Sequence, residues 1–204
     1  PEPPVGRNRQ VVLAHVQPGT VLDTLRNEAE KHHLTFGPDP ATHSRCTLGG
    51  MIGNNSCGIH SVMAGRTSDN IAALEVLTYD GARMWVGATS DNEFDRIINE
   101  GGRRGEIYAQ LRAFRDKYAD LIRQEFPQIP RRVSGYNLPE LLPENGCNIA
   151  RALVGSECTC VIVLEAETML VESPKVRSLL VLGYPDIYVA ADHVTEPLPF
   201  HPIG

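Results

Sequence analysis

Four of the commonest site signatures are missing from this sequence. It has no G-x-G-x-x-G turn, no G-x4-G-K-[ST] loop, no G-x-S-x-G elbow and no H-E-x-x-H helix. Their absence removes the usual routes to a Rossmann dinucleotide site, a P-loop, a hydrolase nucleophile and a zinc protease centre. Basic residues are also in deficit: 19 Lys and Arg stand against 25 Asp and Glu, a net charge of −6. A nucleic-acid face needs clustered cations to neutralise phosphates, and none is expected here. No apolar run approaches the roughly 18 residues of a membrane span. Cysteines number five, an odd count, and only Cys158 and Cys160 are closely spaced. That usage suits a reducing, cytoplasmic compartment rather than a disulfide framework. The C-x2-C-x2-C-x3-C-P run of a ferredoxin-type cluster is missing too, so no metal site is expected.

The rest is ordinary globular material, 42% hydrophobic and 22% charged over 204 residues, enough for one domain or one and a half. Residues 11–16 read as a buried strand. Thr20 is placed to cap a helix whose apolar stripe is Val21, Leu22, Leu25 and Ala29. A strand over 71–79 meets Asp80-Gly81, read as a two-residue hairpin turn, and Arg83–Gly87 returns. Ile107, Leu111, Phe114, Tyr118, Leu121 and Ile122 recur at helical spacing, which predicts a helix over about 104–124, ended by Pro127 and Pro130. A short helix near 137–142, strands at 161–171 and 178–183, and a helix striped by Ile187, Ala190, Ala191 and Val194 complete the reading. Strands cluster rather than alternate with helices, so the class is α+β. Residues 103–132 hold eight basic and four acidic side chains. A solvated helix face is the ordinary explanation, and a docking surface the sharper one.

The chemistry is concentrated in small residues. Gly37-Pro38-Asp39-Pro40-Ala41-Thr42 is followed by Cys46-Thr47-Leu48-Gly49-Gly50-Met51-Ile52-Gly53-Asn54-Asn55-Ser56-Cys57-Gly58. Prolines fix such a loop, and glycines lack the Cβ that keeps a backbone away from a ligand. Successive bare N–H groups, especially where a short helix begins, can receive a pyrophosphate without Lys or Arg. Hydroxyls and amides of Thr42, Ser56 and Asn54 add polar contacts. A structural loop of turns packed under a sheet has the same composition.

The run from Gly37 through Gly81 resembles the second half of the flavin-binding domain of the vanillyl-alcohol oxidase type, also called PCMH-type. Within that group it is similar to the FAD-linked D-lactate, glycolate and D-2-hydroxyglutarate dehydrogenases. A second block agrees: Val133-Ser134-Gly135-Tyr136-Asn137-Leu138, then Ala152-Leu153-Val154-Gly155-Ser156-Glu157. The residues between 88 and 130, and the phrase Leu141-Leu142-Pro143-Glu144-Asn145-Gly146, resemble the large dehydrogenases that fuse an FAD part to an iron–sulfur part. The resemblance implies the second lobe of a two-lobed FAD-binding domain over residues 1–171, a mostly antiparallel sheet flanked by helices, with a helical insertion at about 88–130. Residues 172–204 would begin the substrate, or cap, domain. The family's Arg-Gly-Gly-Gly-Thr loop and its cap-domain arginines and histidines are not in this sequence, and the chain is expected to be cut from a longer polypeptide at both ends.

The family pattern assigns FAD contacts to Pro38, Asp39, Thr42, Gly49, Gly50, Gly53, Asn54, Ser56 and Gly58, with Glu157, Val161 and Ile162 from the second block. Cys158 stands where the family has glycine, and a Cβ there would crowd a left-handed turn beside the flavin. Some relatives tether flavin through histidine, but His43 and His60 read as loop histidines. The implied reaction is oxidation of a small D-2-hydroxy acid by hydride transfer to FAD. Electrons would pass to a quinone, an electron-transfer protein or an iron–sulfur domain, in the cytoplasm or at the inner face of the membrane. No catalytic residue is assigned. The alternatives are an FAD-dependent oxidase that uses oxygen, and a non-catalytic scaffold docking through 103–132.

Overall fold

A computed structural model of the chain describes residues 12–204. In chain order its elements are β1 (Val12–Val16), α1 (Leu22–Glu30), β2 (Leu34–Thr35), α2 (Leu48–Asn54), α3 (Ser61–Ala64), β3 (Ile71–Leu77), β4 (Arg83–Gly87), α4 (Asp91–Glu100), α5 (Gly102–Glu125), α6 (Ile149–Leu153), β5 (Ile162–Glu172) and α7 (Ile187–Asp192). The sheet is antiparallel, in the order β1-β5-β3-β4, with β2 pairing the far end of β5.

The last strand in sequence therefore lies between the first and the third. Ala166 and Thr168 of β5 point into the core, while Glu165 and Glu167 alternate outward. On β3 the strict period of two breaks. Ile71 faces Thr168 and Leu74 faces Ala166, so three steps on one strand match two on the other. That bulge lets Ile71 and Leu74 both reach the interior. Leu22 and Leu25 of α1, Leu48, Met51 and Ile52 of α2, and Ile149 and Ala150 of α6 complete the apolar layer.

Several expectations are corrected. β1 is an edge strand, with Val12 and Leu13 exposed and only Val16 buried. Val21, not Thr20, is the N-cap of α1, and no side chain caps that helix. The hairpin turn is longer than two residues. Thr78 N donates to Ala82 O at 2.9 Å, which leaves Tyr79, Asp80 and Gly81 in the loop, with Gly81 at φ 90°. Residues 178–183 form no strand; Leu179 to Leu182 are exposed and unpaired. The short helix expected near 137–142 is present as a 3₁₀ helix, Leu138–Leu141.

The helix expected over about 104–124 forms, and its stripe holds in part: Ile122 is buried, and Ile107 and Leu111 pack against the core. α5 buries Tyr108, Arg115 and Ile122, while Phe114 and Leu121 face solvent. The Phe94 ring of α4 sits 5.4 Å from that of Tyr108, and the Arg115 guanidinium lies 5.3 Å over Phe94. Several basic side chains of α5 hold partners in the chain: Arg103 pairs with Asp80, Arg112 with Asp95, and Arg123 with Glu144.

Candidate cofactor site

The glycine-rich stretch folds as α2, and the two faces of that helix differ. Leu48, Met51 and Ile52 are buried beneath it. Gly50, Gly53 and Asn54, spaced i, i+3 and i+4, share the outer face, with Gly50 and Asn54 exposed. The expected cradle of bare amides at the start of the helix is absent. Leu48 N donates to Thr20 O and Gly49 N to Pro18 O, each at 2.8 Å, and Thr47 Oγ1 accepts from Gly50 N at 3.3 Å. The Pro18–Thr20 turn closes that end against a phosphate. At the other end Asn55 adopts φ 52° and caps the helix, and its side-chain oxygen accepts from Ser68 N at 3.0 Å.

The glycines in the stretch serve two purposes. A Cβ on Gly49 would lie 2.7 Å from Pro18 Cβ, and one on Gly58 would lie 1.9 Å from Asp39 O. Those two are required by close packing. A Cβ on Gly50 would meet only Thr47 Oγ1, at 3.4 Å, and one on Gly53 only Glu157 Cα, at 4.0 Å. The fold does not need glycine at either position, yet each weakens a helix by about 0.5–1 kcal/mol relative to alanine. A helix face cleared of side chains at this cost suits a broad, flat ligand that lies against backbone, which is the test an FAD site must pass.

Pro38, Asp39 and Gly58 form a separate packed corner. Pro38 is buried. The Asp39 carboxylate accepts from Arg26 Nη1 at 2.7 Å and approaches His60 Nδ1 at 3.2 Å, so it ties α1 to the start of α3. His60 is thus largely buried on Asp39 rather than a loose loop histidine, while His43 sits 2.8 Å from Asp23. Thr42 is exposed, and its carbonyl accepts from Arg45 N and Cys46 N. Ser56 O accepts from both Thr67 N and Thr67 Oγ1, and Ser56 Oγ bonds Asn54 Oδ1 at 2.5 Å.

The second sequence block meets the first. Gly155 N donates to Ile52 O and Glu157 N to Gly53 O, both at 2.9 Å. Glu157 and Cys158 follow at φ 48° and 61°, consecutive left-handed residues with no glycine to ease them. The Cys158 thiol is exposed, and the Tyr79 hydroxyl donates to the Cys158 carbonyl. Thr159 Oγ1 lies 2.9 Å from the Tyr136 hydroxyl. Val161 then enters the core, and Ile162 opens β5 with its side chain exposed. Gly50, Gly53, Asn54 and Glu157 therefore form one patch. Among the described residues the corner at Asp39, the exposed Thr42 and the start of β5 make no hydrogen bond to it.

Sequence reasoning missed a groove of about 1460 Å³ that none of the twelve predicted residues lines. It is lined by Arg66, Arg132, Arg151 and Glu140, which are scattered in sequence and match no motif. Among the described residues no group of three or more His, Cys, Asp or Glu is arranged to hold a metal, and no helix is long and apolar enough to cross a membrane.

Residues 8–87 match the family described as an FAD binding domain. The chain is 33% identical to a D-2-hydroxyglutarate dehydrogenase of Pseudomonas putida over 170 residues, 83% of this chain and 17% of that protein. It is 34% identical to the glycolate oxidase subunit GlcD of Escherichia coli over 106 residues, 51% of this chain and 20% of that protein. A solved alkyldihydroxyacetonephosphate synthase superposes with a TM-score of 0.47 at 18% identity, covering 80% of this chain and 22% of the other. The chain thus spans about a fifth of the length of these relatives.

Proposed function

We propose, from the premise that residues 8–87 belong to the FAD-binding domain family, that this chain is the second FAD lobe of a dehydrogenase that oxidises a small D-2-hydroxy acid. Residues 12–171 form that lobe, and 172–204 begin a substrate domain. The single observation carrying the reading is the bare outer face of α2 at Gly50 and Gly53, abutted by Glu157. Gly50, Gly53, Asn54 and Glu157 would line the flavin directly, and Ile162 would meet it from the start of β5. Pro38, Asp39 and Gly58 would hold the preceding loop in place, and Thr42 and Ser56 would offer hydroxyls. Bound FAD would supply the hydride acceptor, while the chain supplies position and shields one side of the cofactor from water. Residues that clamp the substrate carboxylate and take the hydroxyl proton are not assigned to this chain. The electron acceptor, whether a quinone, an electron-transfer protein or an iron–sulfur domain, belongs to the same proposal.

The test separates ligand approach from folding. Gly50→Ala adds a methyl group that the fold accommodates, so thermal stability should hold or rise. Titration with FAD, followed by flavin fluorescence and melting temperature, should show weak saturable binding to the parent chain. The substitution should weaken that binding at least several-fold. Equal FAD affinity for both proteins, or no FAD-dependent change in either, overturns the assignment.

A further inference from the structure

The geometry points to a second ligand site in the large groove, where Arg66 and Arg132 would hold a small oxyanion, the carboxylate or phosphate group of a solute. The site shares no residue with the flavin patch and stands whether or not that patch binds FAD.

One network runs along the groove wall. The Asp69 carboxylate is taken up by Arg66, accepting from its backbone N at 2.8 Å, Nε at 3.1 Å and Nη2 at 2.9 Å. Arg66 Nη1 donates to Arg132 O at 2.8 Å, which places the two arginines side by side. Arg132 donates to Asn137 Oδ1 at 3.1 Å and lies over the Phe126 ring, but among the described residues no carboxylate pairs with it. Arg151 is held by the carbonyls of Ile71 and Asp69, again without a carboxylate. Glu140, 3.9 Å from Arg66, is the remaining acid of the network.

Three arginines stand against Asp69 and Glu140 in a half-buried wall that faces an open groove, which Glu172 and Lys175 also line. Burial and the neighbouring Arg66 depress the Arg132 pKa against a smaller opposing pull from Glu140 and Asp69, and burial raises that of Glu140. Charge-assisted bonds from paired guanidinium groups fit a carboxylate or phosphate. An incoming anion would stabilise Arg132 and favour the protonated form of Glu140. Binding would then take up a proton and weaken as pH rises through the titration of Glu140. Arg66 and Asp69, Arg132, and Arg151 are the charged groups facing Glu140 from its neighbouring segments; Lys175, His32 and His33 line the groove further out.

The experiment is an amide NMR titration of the 204-residue chain with sodium sulfate, methyl phosphate and acetate, at fixed ionic strength. Saturable shifts confined to Arg66, Arg132 and Asn137 are expected. The tighter of methyl phosphate and acetate identifies the natural group. Arg132→Ala should weaken sulfate binding about tenfold or more, the loss of a charge-assisted bond. Glu140→Gln should retain binding and remove its dependence on pH, and it carries the test if Arg132→Ala does not fold. Shifts that grow linearly over the whole surface, undiminished binding to Arg132→Ala, or an unchanged pH profile in Glu140→Gln would each overturn the site.

Discussion

At the scale of single residues, glycine content alone misleads, because the same residue type answers different demands. Gly58→Ala should lower stability by about 1–3 kcal/mol, since its Cβ would fall on the Asp39 carbonyl. Gly50→Ala should gain about 0.5–1 kcal/mol, and urea denaturation of the pair measures the contrast. Cys158 presents the opposite case, a side chain where the backbone asks for none. At φ 61° it carries the left-handed penalty of an L-residue, about 1 kcal/mol. Cys158→Gly should recover part of that, read as a higher midpoint in urea, and a lower midpoint would show that the exposed thiol contributes to packing. The left-handed backbone at Cys158 is the conformation for which the resemblance implies glycine there. The sequence could not separate Gly49 from Gly50, because that depends on Pro18 lying against one and not the other.

Among elements, the helical insertion shows what periodicity can and cannot find. Its helix was legible from apolar spacing and its buried face only in part: Ile107, Leu111 and Ile122 turn inward, but the anchor at its centre is a cation. Arg115 is enclosed by Asp91, Asp116, the Phe94 ring and, at 3.7 Å, the Cys147 sulfur. Arg115→Ala should cost about 2–4 kcal/mol, chiefly through the lost packing of the buried guanidinium stem against Phe94 and Cys147. Arg112→Ala, which breaks a solvent-facing pair with Asp95, should cost less than about 1 kcal/mol. Comparable losses in thermal denaturation would refute the distinction. The insertion also meets the Pro143–Asn145 turn through Arg123 and Glu144, whose hydrogen bond holds the Glu144 pKa down to about 2. A carboxylate depressed on folding stabilises above its ordinary range, and that contribution fades as pH falls toward 2. Glu144→Gln should therefore lower the melting temperature slightly at pH 7, and the gap should close in acid. Both groups are substantially exposed, so the effect stays near the modest worth of a surface pair.

For the whole molecule, the order of strands decides what can be removed. β5 is paired on both sides, by β1 and β3, and its alternation was read correctly from sequence because one face is acidic and the other apolar. Its position between a strand at 12–16 and one at 71–77 was not legible, since pairing partners some 150 residues apart leave no local trace. The apolar run at 178–183 imitated a strand for the converse reason: hydrophobic composition was present, but no sheet edge receives it. These two facts predict opposite outcomes for two truncations. Ending the chain before β5 removes the strand that joins β1 to the rest and exposes the edge of β3, so cooperative unfolding should be lost and aggregation should follow. Ending it after Lys175 leaves every sheet pairing and the buried core in place. It also removes the exposed side chains of Val176, Leu179, Leu180, Val181, Tyr188 and Phe200. That shorter chain should keep its far-ultraviolet spectrum and a single unfolding transition, and should bind less of a dye that reports exposed apolar surface. If its transition broadened or fell sharply, residues 176–204 would have to be part of the lobe rather than the start of another domain.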